Sequence, residues 1–142
     1  MIMKKYSKGV TLIELLISIA IVGILASVAY PSYTSYVIKS NRTESHRELA
    51  KLANLQEQYF IDHRTYTTDM EKLGMSASPY ITESKNYSIA GVIGDLRGVS
   101  GVTFTLTATA KGTKLSEDTE CTTITINEKG EKSGESSTCW DN

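Results

Sequence analysis

The sequence predicts an α+β fold in which a long N-terminal α-helix, membrane-spanning in its first half and amphipathic in its second, packs on a small antiparallel β-sheet. Three stretches carry that prediction. Val10 to Tyr30 is apolar apart from Thr11, Glu14, Ser18 and Ser27. Beyond it, Leu49, Leu52, Ala53, Tyr59 and Phe60 recur at helical spacing, the signature of one apolar helix face. Val102 to Ala110 alternates apolar residues with threonines, as a half-buried antiparallel strand does.

As a helix, the first stretch would extend roughly 31 Å at 1.5 Å per residue, which matches a bilayer core of roughly 30 Å. Lys4, Lys5 and Lys8 precede it and would stay on the cytoplasmic side, leaving everything after Tyr30 outside. A secretory signal with a cleavage site at Ser27-Val28-Ala29 would have a shorter apolar stretch. A plain anchor helix explains the length but gives no reason for Glu14, since a carboxylate at bilayer depth is costly and usually functional. Pro31, followed by Tyr33 and Tyr36, suits a kinked helix leaving the interfacial aromatic zone, and Gly23 adds a weak point inside the span.

Along the amphipathic stretch Arg42, Glu44, Arg47, Glu48, Lys51 and Glu57 fall largely off the apolar stripe, and the register predicts a helix end near Asp62. Tyr59 and Phe60 read as core. His46 and His63 have no second ligand at metal-binding spacing, so both read as helix surface or helix end, and no metal site is expected.

Asp62 to Ser84 is polar and turn-rich, with one short helix expected over Asp69 to Leu73, capped by Thr68 and ended by Gly74. Asn86 to Val92 reads as a strand, followed by a glycine-rich segment, "AGVIGDLRGVSG", expected to be a mobile hairpin loop before the Val102 to Ala110 strand. Thr122 to Asn127 repeats the alternation with Ile124 and Ile126 inward; Glu128-Lys129-Gly130-Glu131 supplies a hairpin turn, with a fourth short strand near Lys132.

The overall charge is −1, with the three leader lysines set against an acidic C-terminal segment in which Glu117, Asp118, Glu120, Glu128, Glu131, Glu135 and Asp141 outnumber Lys129 and Lys132. A globally basic nucleic-acid binder is not indicated. Cys121 and Cys139, behind an export-type segment, suggest a disulfide in an oxidising compartment, with two free cytosolic thiols as the alternative. A bridge closing a loop of that size contributes roughly 3 kcal/mol. No nucleophile elbow, phosphate loop or His-Glu-x-x-His motif is present, so neither an enzyme nor a cofactor is expected.

Gly9-Val10-Thr11-Leu12-Ile13-Glu14, behind its short basic leader, resembles the prepilin signature of the type IV pilin family, whose leader ends in Gly before a Thr-Leu-Ile-Glu run and a long apolar helix. The order of elements resembles the same family, and "LANLQEQYFIDHRTYTTDMEKLG" with the closing "CW" looks like the minor pilin group that includes PilE-type assembly subunits and ComP-type DNA-uptake receptors. The resemblance implies the type IV pilin fold with a disulfide-bounded C-terminal segment. It also implies a cleaved leader over 1–9, a hydrophobic assembly half of the helix over 10–36 and a soluble head over 37–142. A membrane peptidase would cut between Gly9 and Val10 and methylate the new terminus, and Glu14 would pair with the Val10 amine of a neighbouring subunit during assembly. Pro31 would mark local melting of the helix in the filament.

The function implied is that of a structural minor pilin supporting assembly, twitching motility, adhesion or DNA uptake. Its partners would be other pilins, the prepilin peptidase with the inner-membrane assembly machinery, and the inner membrane before assembly, with the pilus outside the cell as destination. One alternative is a DNA receptor for natural transformation, with Lys85, Arg97, Lys111 and Lys114 as candidate contacts. Asp95 and the acidic tail count against a strong basic stripe, so DNA is not the favoured partner. A second alternative is a type II secretion pseudopilin. The terminal cysteine pair favours pilins, although Asp118 and Glu120 lie where the major pseudopilin carries a calcium-binding loop.

Overall fold

A computed structural model describes residues 9–141. Lys4, Lys5 and Lys8, and the leader as far as residue 8, lie outside the described residues. Helix α1 runs over Leu12–His63, ending one residue from the position its register predicts. By contacts the chain divides into two compact units, one up to Tyr36 and one from Val37 onward.

In the second unit, five antiparallel strands lie in sheet order β1-β2-β3-β4-β5: Tyr80–Ile81, Tyr87–Leu96, Val99–Ala110, Thr123–Asn127 and Lys132–Gly134. Every neighbour in the sheet is a neighbour in sequence, the simplest consequence of short turns between antiparallel strands. The inward residues Ile89, Phe104, Leu106, Ala108, Ile124 and Ile126 face Leu49 and Leu52 of α1, and Tyr66, Met70 and Leu73 close the core from the connecting segment. The threonines opposite them stay partly or fully exposed, as their alternation predicts.

Three expectations are corrected. The glycine-rich segment is not a loop: β2 continues to Leu96 and β3 starts at Val99. The reversal needs only Arg97 and Gly98, with φ of 51° and 82°, the paired positive values of a two-residue turn that follows strand twist. Gly101, at φ 72°, has a packing role, because its carbonyl accepts a 2.9 Å bond from the Tyr66 amide and an added Cβ would strike the Thr65 hydroxyl; Gly91 and Gly94 are also closely packed, against Met70 and Thr103. Second, the short helix is a 3-10 turn over Met70–Leu73 capped by Asp69 and not by Thr68; Asp69 accepts the Glu71 amide, and Gly74 ends the turn in the left-handed region as expected. Third, strand β1 and a helical turn α2 over Lys114–Glu117 carry too little periodicity to have been read from sequence.

Cys121 and Cys139 form a disulfide with their Cα atoms 5.5 Å apart, holding the C-terminal 3-10 turn Ser137–Trp140 beside the start of β4.

Candidate functional site

The N-terminal unit is built on one continuous helical backbone. Gly9 and Val10 precede the helix and are exposed. Thr11 sits at the N-cap: its Oγ1 accepts the Glu14 amide at 3.3 Å, and its carbonyl accepts the first helical bond, from Leu15, at 3.1 Å. From Leu12, 77% exposed, to Tyr36, 70% exposed, the large apolar side chains face outward. By length and composition this stretch suffices to cross a membrane. Glu14 lies within it, one turn past the cap. The helix continues through Pro31, whose missing N–H leaves the carbonyl four residues earlier without its usual donor. Ser27, Ser32 and Ser35 direct their hydroxyls at the carbonyls of Ile24, Val28 and Pro31, a local loosening on both sides of the proline.

The head half of α1 departs from the predicted stripe. Arg42, Ser45, Glu48 and Gln56 are buried beside Leu49 and Leu52. Arg42 and Glu48 were expected to be off the core face, yet position 42 is two turns before Leu49 and so shares its face. The Arg42 guanidinium makes a bidentate bond to the Asp118 carboxylate, both contacts at 2.6 Å, and this bond raises the guanidinium pKa further above its ordinary value. Asp118 is therefore engaged by an arginine, and among the described residues no cluster of three or more ligating side chains could hold a metal. Gln56 mimics a backbone unit, donating to the Thr67 carbonyl at 2.5 Å and accepting the Thr67 amide at 3.1 Å. Burial pushes the Tyr87 hydroxyl up to about 12; burial and a 3.0 Å bond to Glu57 do the same for Tyr66.

His46 is half-buried and engaged, where the sequence reads it as helix surface. Its Nε2 meets the Cys139 carbonyl at 2.8 Å, and its ring stacks on Trp140 at 4.4 Å, with Lys132 Nζ 4.8 Å from the centre of the Trp140 ring. Burial lowers its pKa, the Cys139 contact opposing. His63 stacks on Tyr59 at the helix end, as its position predicts. Tyr59 and Phe60 are half-buried against the core.

The four candidate DNA contacts do not form one patch. Lys85 lies in the turn before β2, where its amide bonds the Thr82 carbonyl, and Lys111 follows β3 with its amide on the Asn86 carbonyl, so these two share one end of the sheet. Lys114 follows Lys111 by three residues and is ion-paired with Glu117. Arg97 caps the far end of the β2–β3 hairpin, ten residues of β2 away, roughly 30 Å at strand rise. Asp95, which counts against a basic stripe, accepts Ser100 Oγ and the Gly101 amide.

A helix with an uncovered apolar first half, a Gly-Val-Thr-Leu-Ile-Glu start and a second half packed on a disulfide-closed antiparallel sheet defines the pilin class. Residues 4–30 match the prokaryotic N-terminal methylation motif, and residues 31–125 match the family described as type IV minor pilin ComP, DNA uptake sequence receptor. The fimbrial protein EcpC of Eikenella corrodens is 32% identical, across 87% of this chain and 76% of that protein; the type IV major alpha-pilin of Moraxella bovis is 33% identical, across 83% and 77%. A solved type IV pilin from Shewanella oneidensis shares the fold at a TM-score of 0.51, with 18% identity, across 74% of this chain and 99% of that one. The chain belongs to the type IV pilin family.

Proposed function

We propose that the chain is a minor subunit of a type IV pilus. It is cut between Gly9 and Val10, held in the inner membrane by the first half of α1, and then passed into the filament, where it supports assembly and the twitching, adhesion or DNA uptake that depend on it. The observation that carries this reading is the row of exposed apolar side chains from Leu12 to Tyr36, interrupted near its start by one carboxylate, Glu14. Such a surface needs lipid or neighbouring helices to cover it. A carboxylate in that setting needs a cation, and cleavage would create one, the Val10 ammonium of an adjacent subunit. The pair rewards correct axial register and disfavours a lone subunit in lipid. Pilins as relatives support a structural role. Mass spectrometry of the membrane-extracted chain tests the reading: a methylated Val10 terminus is expected, and a terminus at Tyr30 overturns it.

A second reading, a DNA-uptake receptor, is supported by the description of the matched family and by the shared placement of Lys85 and Lys111. Two cations at that end would give a salt slope of about −2 on duplex DNA. Lys85→Ala with Lys111→Ala abolishes binding in that case, whereas Arg97→Ala at the opposite end leaves it intact. No binding at low salt leaves the assembly subunit alone.

A further inference from the structure

We infer that Thr11 is a positioning residue for leader removal: by capping α1 it starts the helix at Leu12 and keeps the Gly9–Val10 peptide bond in non-helical, exposed backbone where a peptidase can reach it. The inference rests on the processing reading above and adds to it a reason for the residue between the cut and the helix.

Three observations carry it. Thr11 Oγ1 accepts the amide of Glu14 at 3.3 Å, and the Thr11 carbonyl accepts the amide of Leu15 at 3.1 Å, so Thr11 occupies the N-cap and Glu14 the third helical position. The Thr-x-x-Glu spacing is the one that helix starts favour, because the hydroxyl satisfies an amide that has no carbonyl partner inside the helix. Gly9 and Val10 lie outside the helix and exposed, and no backbone or side-chain bond that would tie them down precedes Thr11 among the described residues. Hydrolysis of an amide requires water and a catalytic group to approach the carbonyl carbon from one face, and a residue inside a helix presents that carbonyl to its own fourth neighbour instead. The run Leu12, Ile13, Leu15, Leu16 offers no side chain that could cap in place of Thr11. Without the hydroxyl the helix start is free to slide toward Gly9 or to fray.

In the cut itself, water adds across the Gly9–Val10 amide, leaving a carboxylate on Gly9 and an amine on Val10. Thr11 takes no proton in that step; it sets the backbone in which the step occurs.

The test follows full-length chain in membranes containing a prepilin peptidase, with Thr11→Val, Thr11→Ser and Thr11→Asp compared with the parent by mass spectrometry over time. Valine keeps the shape and loses the cap, and its cleavage is expected to slow about fivefold; serine and aspartate keep a capping oxygen and are expected to be cut at close to the parental rate. Cleavage of Thr11→Val at the parental rate overturns the inference. So does failure of Thr11→Asp to be cut, since a peptidase pocket reading the threonine itself would reject aspartate while the helix would accept it. Amide exchange at Glu14 in detergent micelles is the second readout, expected to be about fivefold faster in Thr11→Val and unchanged in Thr11→Ser; equal exchange in all three also overturns it. Failure of the underlying processing reading looks different: the parent chain itself is then not cut after Gly9.

Discussion

The two halves of α1 solve opposite problems with one backbone. Up to Tyr36 the apolar side chains are outside and there is no interior to bury them in; from Val37 onward the helix buries two leucines together with an arginine, a serine, a glutamate and a glutamine. The first half is unfinished without lipid or other subunits. The second is finished by polar partners within its own unit: Arg42 meets the Asp118 carboxylate, Ser45 donates to the Arg42 carbonyl and Gln56 pairs with both backbone groups of Thr67, while Glu48 Oε2 has no hydrogen bond among the described residues and only Lys51 Nζ at 3.5 Å. Apolar residues therefore mark the surface to be covered in one half, and polar residues mark the internal anchors in the other.

Five measurements break or sharpen that contrast, in descending order of expected effect on the stability of the head. Asp118→Ala strands the buried Arg42 guanidinium and is expected to cost about 3–5 kcal/mol in denaturant unfolding, whereas Arg42→Met combined with Asp118→Leu recovers most of the loss. If the single variant costs under 1 kcal/mol, the polar anchor is not what finishes the head. Replacing Cys121 and Cys139 together by alanine is expected to remove roughly 3 kcal/mol and to expose Trp140 to solvent, visible as a red-shifted emission. Gln56→Leu orphans both the amide and the carbonyl of Thr67, for about 2–3 kcal/mol.

A smaller effect follows pH. Burial holds His46 below its ordinary value of 6.5, so between that pH and its folded value the unfolded chain binds the extra proton and the folded chain resists it. The head is then fully stable with respect to this group above 6.5 and loses stability as pH falls through 6.5 toward the folded value. Unfolding midpoints at a series of pH values should show the decline, and His46→Phe, which keeps a stacking ring for Trp140, should remove it. Smallest is Glu14→Gln, expected to leave the head within about 0.5 kcal/mol of the parent while the subunit is lost from sheared filaments. A large change in head unfolding would show that the two halves are not separable in the way the contrast states.

What was legible in the sequence was whatever repeats at a fixed period or punctuates the chain. The apolar run, the helix end to within one residue, the alternation through Val102 to Ala110 and the cysteine pair were all read correctly. Features depending on a partner distant in sequence were not: Asp118 lies 76 residues from Arg42 and Cys139 lies 93 from His46. Their side chains look the same in sequence whether they are solvated or buried. The spacing of Arg42 and Ser45 one to two turns before Leu49 and Leu52 is the available signal, but a polar side chain at that spacing does not by itself show burial. The glycines of β2 and β3 misled for the complementary reason, since glycine marks flexibility in isolation and close approach in a paired strand.

The sequence by itself determined the class of fold, the uncovered helix and the motif at its start, because helical and strand periods, chain punctuation and bilayer thickness are local quantities. Tertiary structure alone decided which polar groups are buried, that Lys85 and Lys111 sit at the opposite end of the sheet from Arg97, and that His46 meets Cys139 and Trp140. Those outcomes depend on which distant groups meet, and an isolated charge or imidazole carries no mark of its partner until the chain has folded around it.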